Sequence, residues 1–228
     1  MAGLDGPRLP PRSGGPARQL VALLHGVGAD GSDLIGLAPV LADALPDAAF
    51  VAPDAPSPCD MAPFGRQWFS LQDRSPARLA AGIRAAAPAL QAFLEEELAR
   101  LSLPASALAL AGFSQGAMMA LHTGLRMAEP PAAVLAYSGA LLESPESLAA
   151  AVGAARAPPP PVLIVHGESD GVVPVAAGRM AEAALRGAGV AVEALYIPGL
   201  DHSIDGAGLA AGVALLKRAL PASPAPGA

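Results

Sequence analysis

The chain holds a single cysteine, Cys59, and a single lysine, Lys217. A lone thiol closes no intramolecular disulfide and builds no thiolate zinc site, so the sequence reads as a protein of a reducing compartment whose chemistry does not run on sulfur. A lone lysine near the C-terminus excludes a GxxxxGK phosphate loop. His25, His122, His166 and His202 show no metal-ligand spacing, and no metal is expected. Positive charge is scarce too: 14 Lys and Arg face 20 Asp and Glu, a net charge of −6. That is the wrong sign for steering toward nucleic acid or an anionic membrane, and nucleic acid is excluded as a main partner. Although the mean hydropathy is +0.44, there is no uninterrupted apolar run of about 18 residues, so no membrane span is expected. The first twenty residues carry charges and prolines where a secretory signal needs an apolar core, which assigns the chain to the cytoplasm.

What the sequence does contain is apolar material, 53% hydrophobic residues against 15% charged, so it folds. Its 228 residues suffice for one well-buried domain. Residues 18–220 form that domain, with 1–17 an N-terminal extension or first edge strand and 221–228 a disordered tail. Apolar runs at 20–24, 49–52, 107–113, 132–138, 162–166 and 190–197 lack polar alternation, as strands of a parallel sheet covered on both faces do. Between them helical patterns run from Asp33 to Leu45 and from Pro76 to about Leu101, and begin near Ser114, Val175 and Asp205. Ser75 and Pro76 make a helix start. The expected fold is therefore α/β, doubly wound, with a mostly parallel sheet and helices on both faces. The short stretch from Ser138 to Val162, stiffened by Pro158–Pro161, leaves no room for a large cap domain. Glu95, Glu96 and Glu97 read as a solvated helix face, and Ala-rich helix faces leave room for a homodimer.

The strand at 107–113 runs directly into Gly112-Phe113-Ser114-Gln115-Gly116 and then a helical pattern. This is GxSxG in a strand-turn-helix context, where the flanking glycines remove side chains that would collide with neighbouring backbone. The serine hydroxyl is then presented at a helix N-terminus, which favours negative charge developing in acyl transfer. Such a nucleophile needs a base and an orienting carboxylate, in the order Ser, acid, His. Of the histidines after Ser114, His202 follows the last strand in a loop able to reach over the strand ends. Asp170 lies just beyond the strand that His166 closes. Asp201, Asp205 and Glu168 are rival acids less well placed: Asp205 reads as part of the last helix's start. His25 and His122 suit loop or helix-surface roles. The backbone N–H groups of Gln115 and Val27 are the candidate oxyanion donors.

The loop holding Val27 also spells Gly26-Val27-Gly28-Ala29-Asp30-Gly31, a formal GxGxxG after a strand, with Asp54 ending the next strand. This is the spacing of a dinucleotide-binding loop, the main alternative reading. Asp30 argues against it by putting a negative charge where a pyrophosphate would sit. The Ser, Asp, His set, which a dehydrogenase would not need, argues against it as well.

LLHGVGADG, APFGRQWFSL, GFSQG, HGESDGVVP and GLDHSI together resemble the motifs of the phospholipase/carboxylesterase group of small α/β-hydrolases, which includes acyl-protein thioesterases. The resemblance spans roughly Leu20 to Leu216. It implies an α/β-hydrolase without a cap, acting on carboxylic esters or thioesters without a cofactor, with Ser114, Asp170 and His202 as triad. It implies Val27 and Gln115 as oxyanion donors and Trp68 and Val172 on the acyl side of the cleft. Ala117 departs from the glycine that often follows GFSQG in the thioesterases. Expected substrates are small-molecule esters of small to medium acyl chains, with lysophospholipids and thioesters also in view. Met61, Phe64, Trp68 and Phe69 in the loop before Ser75 would form either a short acyl-binding flap or a lid on the sheet edge.

Overall fold

A computed structural model describes residues 3–221. In chain order the elements are β1 (Arg8–Leu9), β2 (Gln19–Leu24), α1 (Gly31–Leu34), α2 (Ala38–Ala44), β3 (Ala48–Val51), β4 (Ser57–Pro58) and β5 (Arg66–Gln67). There follow α3 (Pro76–Leu101), β6 (Leu108–Phe113), α4 (Gln115–Gly124), β7 (Ala133–Tyr137), α5 (Pro145–Ala154), β8 (Val162–Gly167), α6 (Val175–Gly187), β9 (Val192–Ile197) and α7 (Gly206–Ala219). Seven strands form one sheet in the order β1-β3-β2-β6-β7-β8-β9, and β4 and β5 make a separate small hairpin. Every pairing in the large sheet is parallel except that of β1 with β3 at its edge. The mostly parallel sheet, with helices on both faces and no large cap, is the architecture read from the apolar runs.

Residue alternation divides the core. Leu20, Ala22 and Leu24 of β2 join α3, α4 and α6 on one face, whereas Val21 and Leu23 join α2 and α7 on the other. Successive side chains of a strand point to opposite faces, so a strand covered on both must be apolar throughout. All six residues of β2 are buried accordingly.

Four details differ from the sequence reading. The helix expected from Asp33 to Leu45 is broken into α1, a 3₁₀ turn at Ile35–Leu37, and α2. Pro39, in the first turn of α2, lacks the N–H and would crowd the carbonyl four residues back in a continuous helix. Helix α5 was not anticipated, yet Ser144 caps it through Ser147 N–H and Pro145 starts it, the same signal as Ser75-Pro76. Glu97 is not solvated: its side chain is buried between Arg8 and Arg100, so only Glu95 and Glu96 lie on an exposed face. His122 is buried inside α4 rather than on its surface. The tail predicted to be disordered lies, from residue 222 on, outside the described residues.

Candidate active site

The sheet's central strand β6 delivers Ser114 into the turn before α4. Its backbone, at φ 54° and ψ −117°, lies in a region that non-glycine residues rarely occupy. Two close approaches hold it there. A side-chain carbon added at Gly116 would sit 1.9 Å from the Leu24 carbonyl oxygen, and one at Gly112 would sit 2.2 Å from the Gly116 carbonyl oxygen. Strand β2, the turn and α4 therefore pack at glycine-only distances. The Ser114 N–H also donates to the Tyr137 carbonyl at 2.9 Å, anchoring the turn to β7. The strain is held by surrounding structure, as it must be to persist.

His202 arrives from the loop between β9 and α7. Its Nε2 lies 3.0 Å from Ser114 Oγ and its Nδ1 lies 2.8 Å from Asp170 Oδ2. The Phe113 ring, 4.7 Å away between centroids, supports the imidazole from one side. Asp170, in the turn after β8, has a fully buried side chain. Burial pushes its carboxyl upward, but hydrogen bonds from His202 and from the Val173 and Val172 amides outweigh it and hold the group below the usual carboxylate range. Both amides reach Oδ1 at 2.9 Å. A fourth contact comes from His166, whose Nε2 stands 2.8 Å from the Val173 carbonyl and 3.3 Å from Asp170 Oδ2. The carbonyl accepts only, so Nε2 carries the proton, and the unpartnered Nδ1 keeps a lone pair facing Gly178.

Sequence position alone did not exclude the rival acids, and each is engaged elsewhere. Asp201 accepts from the Ser203 hydroxyl, Asp205 caps α7 through Gly208 N–H, and Glu168 pairs with Arg179 on the surface.

Gln115 is the first residue of α4, so its N–H has no acceptor within the helix. Val27 follows Gly26, where an added side-chain carbon would lie 3.3 Å from Ser114 Cβ. The loop after β2 is thus pressed against the serine. The same loop is internally bonded: Gly31 N–H donates to Asp54 Oδ1, Asp30 caps α1, and Gly28 N–H donates to the Arg66 carbonyl. A side-chain carbon at Gly65 would meet the Gly28 carbonyl oxygen at 2.0 Å. The Gly28 and Gly31 amides, which a dinucleotide phosphate would need, are therefore already taken. Asp54, placed where a ribose-binding acid would be, instead fastens the loop.

The Trp68 side chain is buried, and its indole N–H donates to the His25 carbonyl at 3.0 Å. Val172 is 64% exposed at the rim, its amide on Asp170. Among the flap residues, Met61 and Phe64 are exposed whereas Trp68 and Phe69 are buried. Residues 68–69 are gripped by a side chain whose second role the sequence did not reveal. Gln115 Oε1 accepts from Trp68 N–H at 2.8 Å and Gln115 Nε2 donates to the Phe69 carbonyl at 2.7 Å. His25, taken for a loop residue, is another clamp, fully buried, accepting the Ala55 N–H at Nε2 and so donating from Nδ1 to the Gly26 carbonyl. Burial pushes its pKa down and keeps the ring neutral. A polar residue beside the GxSxG serine was the only sequence signal for the first clamp, and none pointed to the second.

The family model described as Phospholipase/Carboxylesterase matches residues 12–217. The esterase YpfH of Escherichia coli (strain K12) is 33% identical over 192 residues, covering 83% of this chain and 78% of its own length. A rice (Oryza sativa subsp. japonica) protein named "Probable inactive carboxylesterase" is 28% identical over 209 residues, 86% of this chain and 82% of that one. The crystal structure of esterase PE8 is 43% identical, with a TM-score of 0.89 over 96% of this chain and 100% of that one.

Proposed function

The chain belongs to the phospholipase/carboxylesterase family of α/β-hydrolases, a carboxylesterase-type hydrolase, and we propose that it cleaves carboxylic esters of small to medium acyl chains through a Ser114–His202–Asp170 triad. One observation carries this reading: a strained serine, an imidazole and a buried carboxylate lie in unbroken hydrogen-bonding contact. Ser114 Oγ attacks the ester carbonyl while His202 Nε2 takes its proton. Asp170 fixes the tautomer by accepting from Nδ1 and stabilises the imidazolium that forms. The Val27 and Gln115 amides receive the oxyanion, each worth about 100- to 1000-fold in rate. His202 returns the proton to the leaving alcohol, and water hydrolyses the acyl-enzyme by the same relay. His166 acts at one remove, as a positioning residue whose Nε2–H donates to the Val173 carbonyl in the turn whose amides hold Asp170 Oδ1. Lysophospholipids and thioesters fit the same chemistry.

Loss of activity, as in the rice relative's name, finds no support in the residues here, since each proposed position is filled and in contact. The dinucleotide alternative is disfavoured by the engaged amides of its loop. No helix among the described residues is long and apolar enough to cross a membrane; the lone cysteine supports a reducing compartment such as the cytoplasm. A fluorophosphonate tests the reading directly: intact mass and peptide mapping should find one adduct, on Ser114. Folded protein that takes no adduct, or takes it elsewhere, refutes the triad.

A further inference from the structure

The two amides assigned to the oxyanion lie on separate loops, and they act together only if both stand about 2.7 to 3.1 Å from the same point. The Gln115 N–H is aimed by α4, whose first residue it is. Val27 has no such support: it lies in the loop between β2 and α1, and among the described residues its N–H donates to no protein acceptor. Its direction must come from its own peptide plane. A trans peptide is planar, with C=O and N–H on opposite sides, so whatever holds the Gly26 carbonyl also sets where the Val27 N–H points. That carbonyl accepts from His25 Nδ1 at 2.7 Å, with the Ala29 N–H farther off at 3.3 Å.

His25 is set up for this one task. Its ring is fully buried, and its Nε2 accepts the Ala55 N–H at 3.0 Å, which leaves the proton on Nδ1, facing Gly26. The preceding peptide plane is pinned as well. The His25 carbonyl accepts the Trp68 indole N–H at 3.0 Å, and a side-chain carbon added at Gly116 would lie 2.7 Å from the same oxygen. Two successive planes leading to Val27 are thus fixed by ring N–H groups from His25 and Trp68, whose centroids stand 5.7 Å apart.

The brace closes on the other donor. Trp68 N–H donates to Gln115 Oε1 at 2.8 Å, and Gln115 Nε2 donates to the Phe69 carbonyl at 2.7 Å. Gln115, Trp68, His25 and Gly26 therefore form one buried hydrogen-bonded chain that joins the two oxyanion amides. Trp68 is only 2% exposed and so offers an acyl chain almost no surface, while both of its N–H groups are engaged in this chain.

We propose that His25 and Trp68 are positioning residues of the oxyanion hole, His25 aiming the Val27 N–H through the Gly26 carbonyl and Trp68 fixing its place relative to Gln115. Neither side chain touches the reacting atoms. The proposal rests on the ester-hydrolase reading above, and it assigns Trp68 to the rate of acyl transfer at every chain length rather than to selection among chains.

The test separates the two ring nitrogens of His25. An Asn amide overlays Nδ1, so His25→Asn keeps a donor for the Gly26 carbonyl; a Gln amide overlays Nε2, so His25→Gln keeps the Ala55 contact and loses that donor. Against the roughly 100- to 1000-fold cost of losing an oxyanion donor outright, kcat/KM for p-nitrophenyl acetate, butyrate and octanoate should fall about ten- to a hundredfold in His25→Gln and less than about threefold in His25→Asn. Trp68→Phe, which keeps a ring without the N–H, should lower kcat/KM by about tenfold, and by the same factor for all three esters. The inhibition constant of an alkyl trifluoromethyl ketone, whose hemiketal oxygen takes the oxyanion position, should rise in each variant as far as kcat/KM falls. A packing role alone predicts no such match. Circular dichroism checks the fold, and where His25→Gln does not fold, Trp68→Phe decides. Equal losses in the two His25 variants, a Trp68→Phe loss that grows with chain length, or inhibitor affinity that stays fixed while kcat/KM falls would each overturn the proposal and leave the hydrolase reading standing. If the unaltered protein hydrolyses none of the esters and takes no fluorophosphonate adduct, both fall together.

Discussion

Two histidines in this chain give Nδ1–H to a buried carboxylate, and only one of them faces a serine. His202 and Asp170 meet at 2.8 Å, His122 and Glu143 at 3.1 Å, and both acids are almost wholly buried. The difference lies in what else holds the acid. Glu143 is clasped by Arg126, so its charge is already matched. Asp170 receives two backbone amides and the His202 imidazole but, among the described residues, no guanidinium, so its negative charge stays available to an imidazolium forming on His202. A histidine–carboxylate pair is thus not by itself a catalytic device. What sets the first pair apart is the unmatched charge and the strained Ser114 at its far nitrogen.

Removing the serine breaks the comparison most sharply. Ser114→Ala should cost about 10⁶-fold in kcat on any ester the protein cleaves, measured by steady-state hydrolysis, while far-ultraviolet circular dichroism stays unchanged. Asp170→Asn should cost about 10⁴-fold, because the amide favours the wrong His202 tautomer. A loss below tenfold would mean that Asp170's charge contributes little.

His166 sharpens the comparison, since Glu143 has no counterpart to it. His166→Leu removes the donor to the Val173 carbonyl in the turn that holds Asp170, leaving a buried carbonyl unpaired at a cost of roughly 1 to 3 kcal/mol. Where that cost falls on the placement of Asp170 it amounts to as much as about a hundredfold in kcat/KM. His166→Gln keeps an N–H near Nε2 and should recover most of the loss. The acid limb of the pH–rate profile should move in the leucine variant and return in the glutamine variant. A merely space-filling role predicts that neither variant moves the profile.

The smallest effect is on stability. Folding lowers the pKa of both Asp170 and Glu143, so near the ordinary carboxylate range the unfolded chain binds more protons than the folded one. Their contribution is present in full above that range and is lost as pH falls through it toward the lower folded values. Glu143→Gln should therefore destabilise by about 1 to 3 kcal/mol near neutrality and flatten the acid limb of a denaturant-midpoint against pH curve. An unchanged acid limb would show that Glu143 is not held ionised by its partners.

Much of this arrangement was legible from local pattern. Unbroken apolar runs marked the central strands because a strand covered on both faces has no polar side. The glycines around Ser114 marked a backbone approach that the structure measures at 1.9 and 2.2 Å. Other features carried no local signal. Glu97 lies in a run of acids that looks solvated, and only the distant Arg8 makes its burial sensible. Asp54 sits 23 residues beyond Gly31, a spacing equally suited to a ribose-binding acid and to the loop fastener it is. The Ser144-Pro145 start of α5 is a local helix signal, but the Pro158–Pro161 run beyond it is an equally local signal for extended backbone.

Local pattern was enough for the strands of the parallel sheet, most of the helices and the serine turn, because strand alternation, helix periodicity and glycine sterics act between residues only a few positions apart. The sequence by itself also bounded the chemistry, since one cysteine and one lysine leave few other routes. The tertiary structure alone decided which carboxylate meets which histidine. Asp170 and His202 are 32 positions apart, and Ser114 and His202 are 88 apart. Parallel strands bring the loops that follow β6, β8 and β9 to one edge of the sheet, where a hydrogen bond of about 3 Å forms or does not according to packing that no local pattern records.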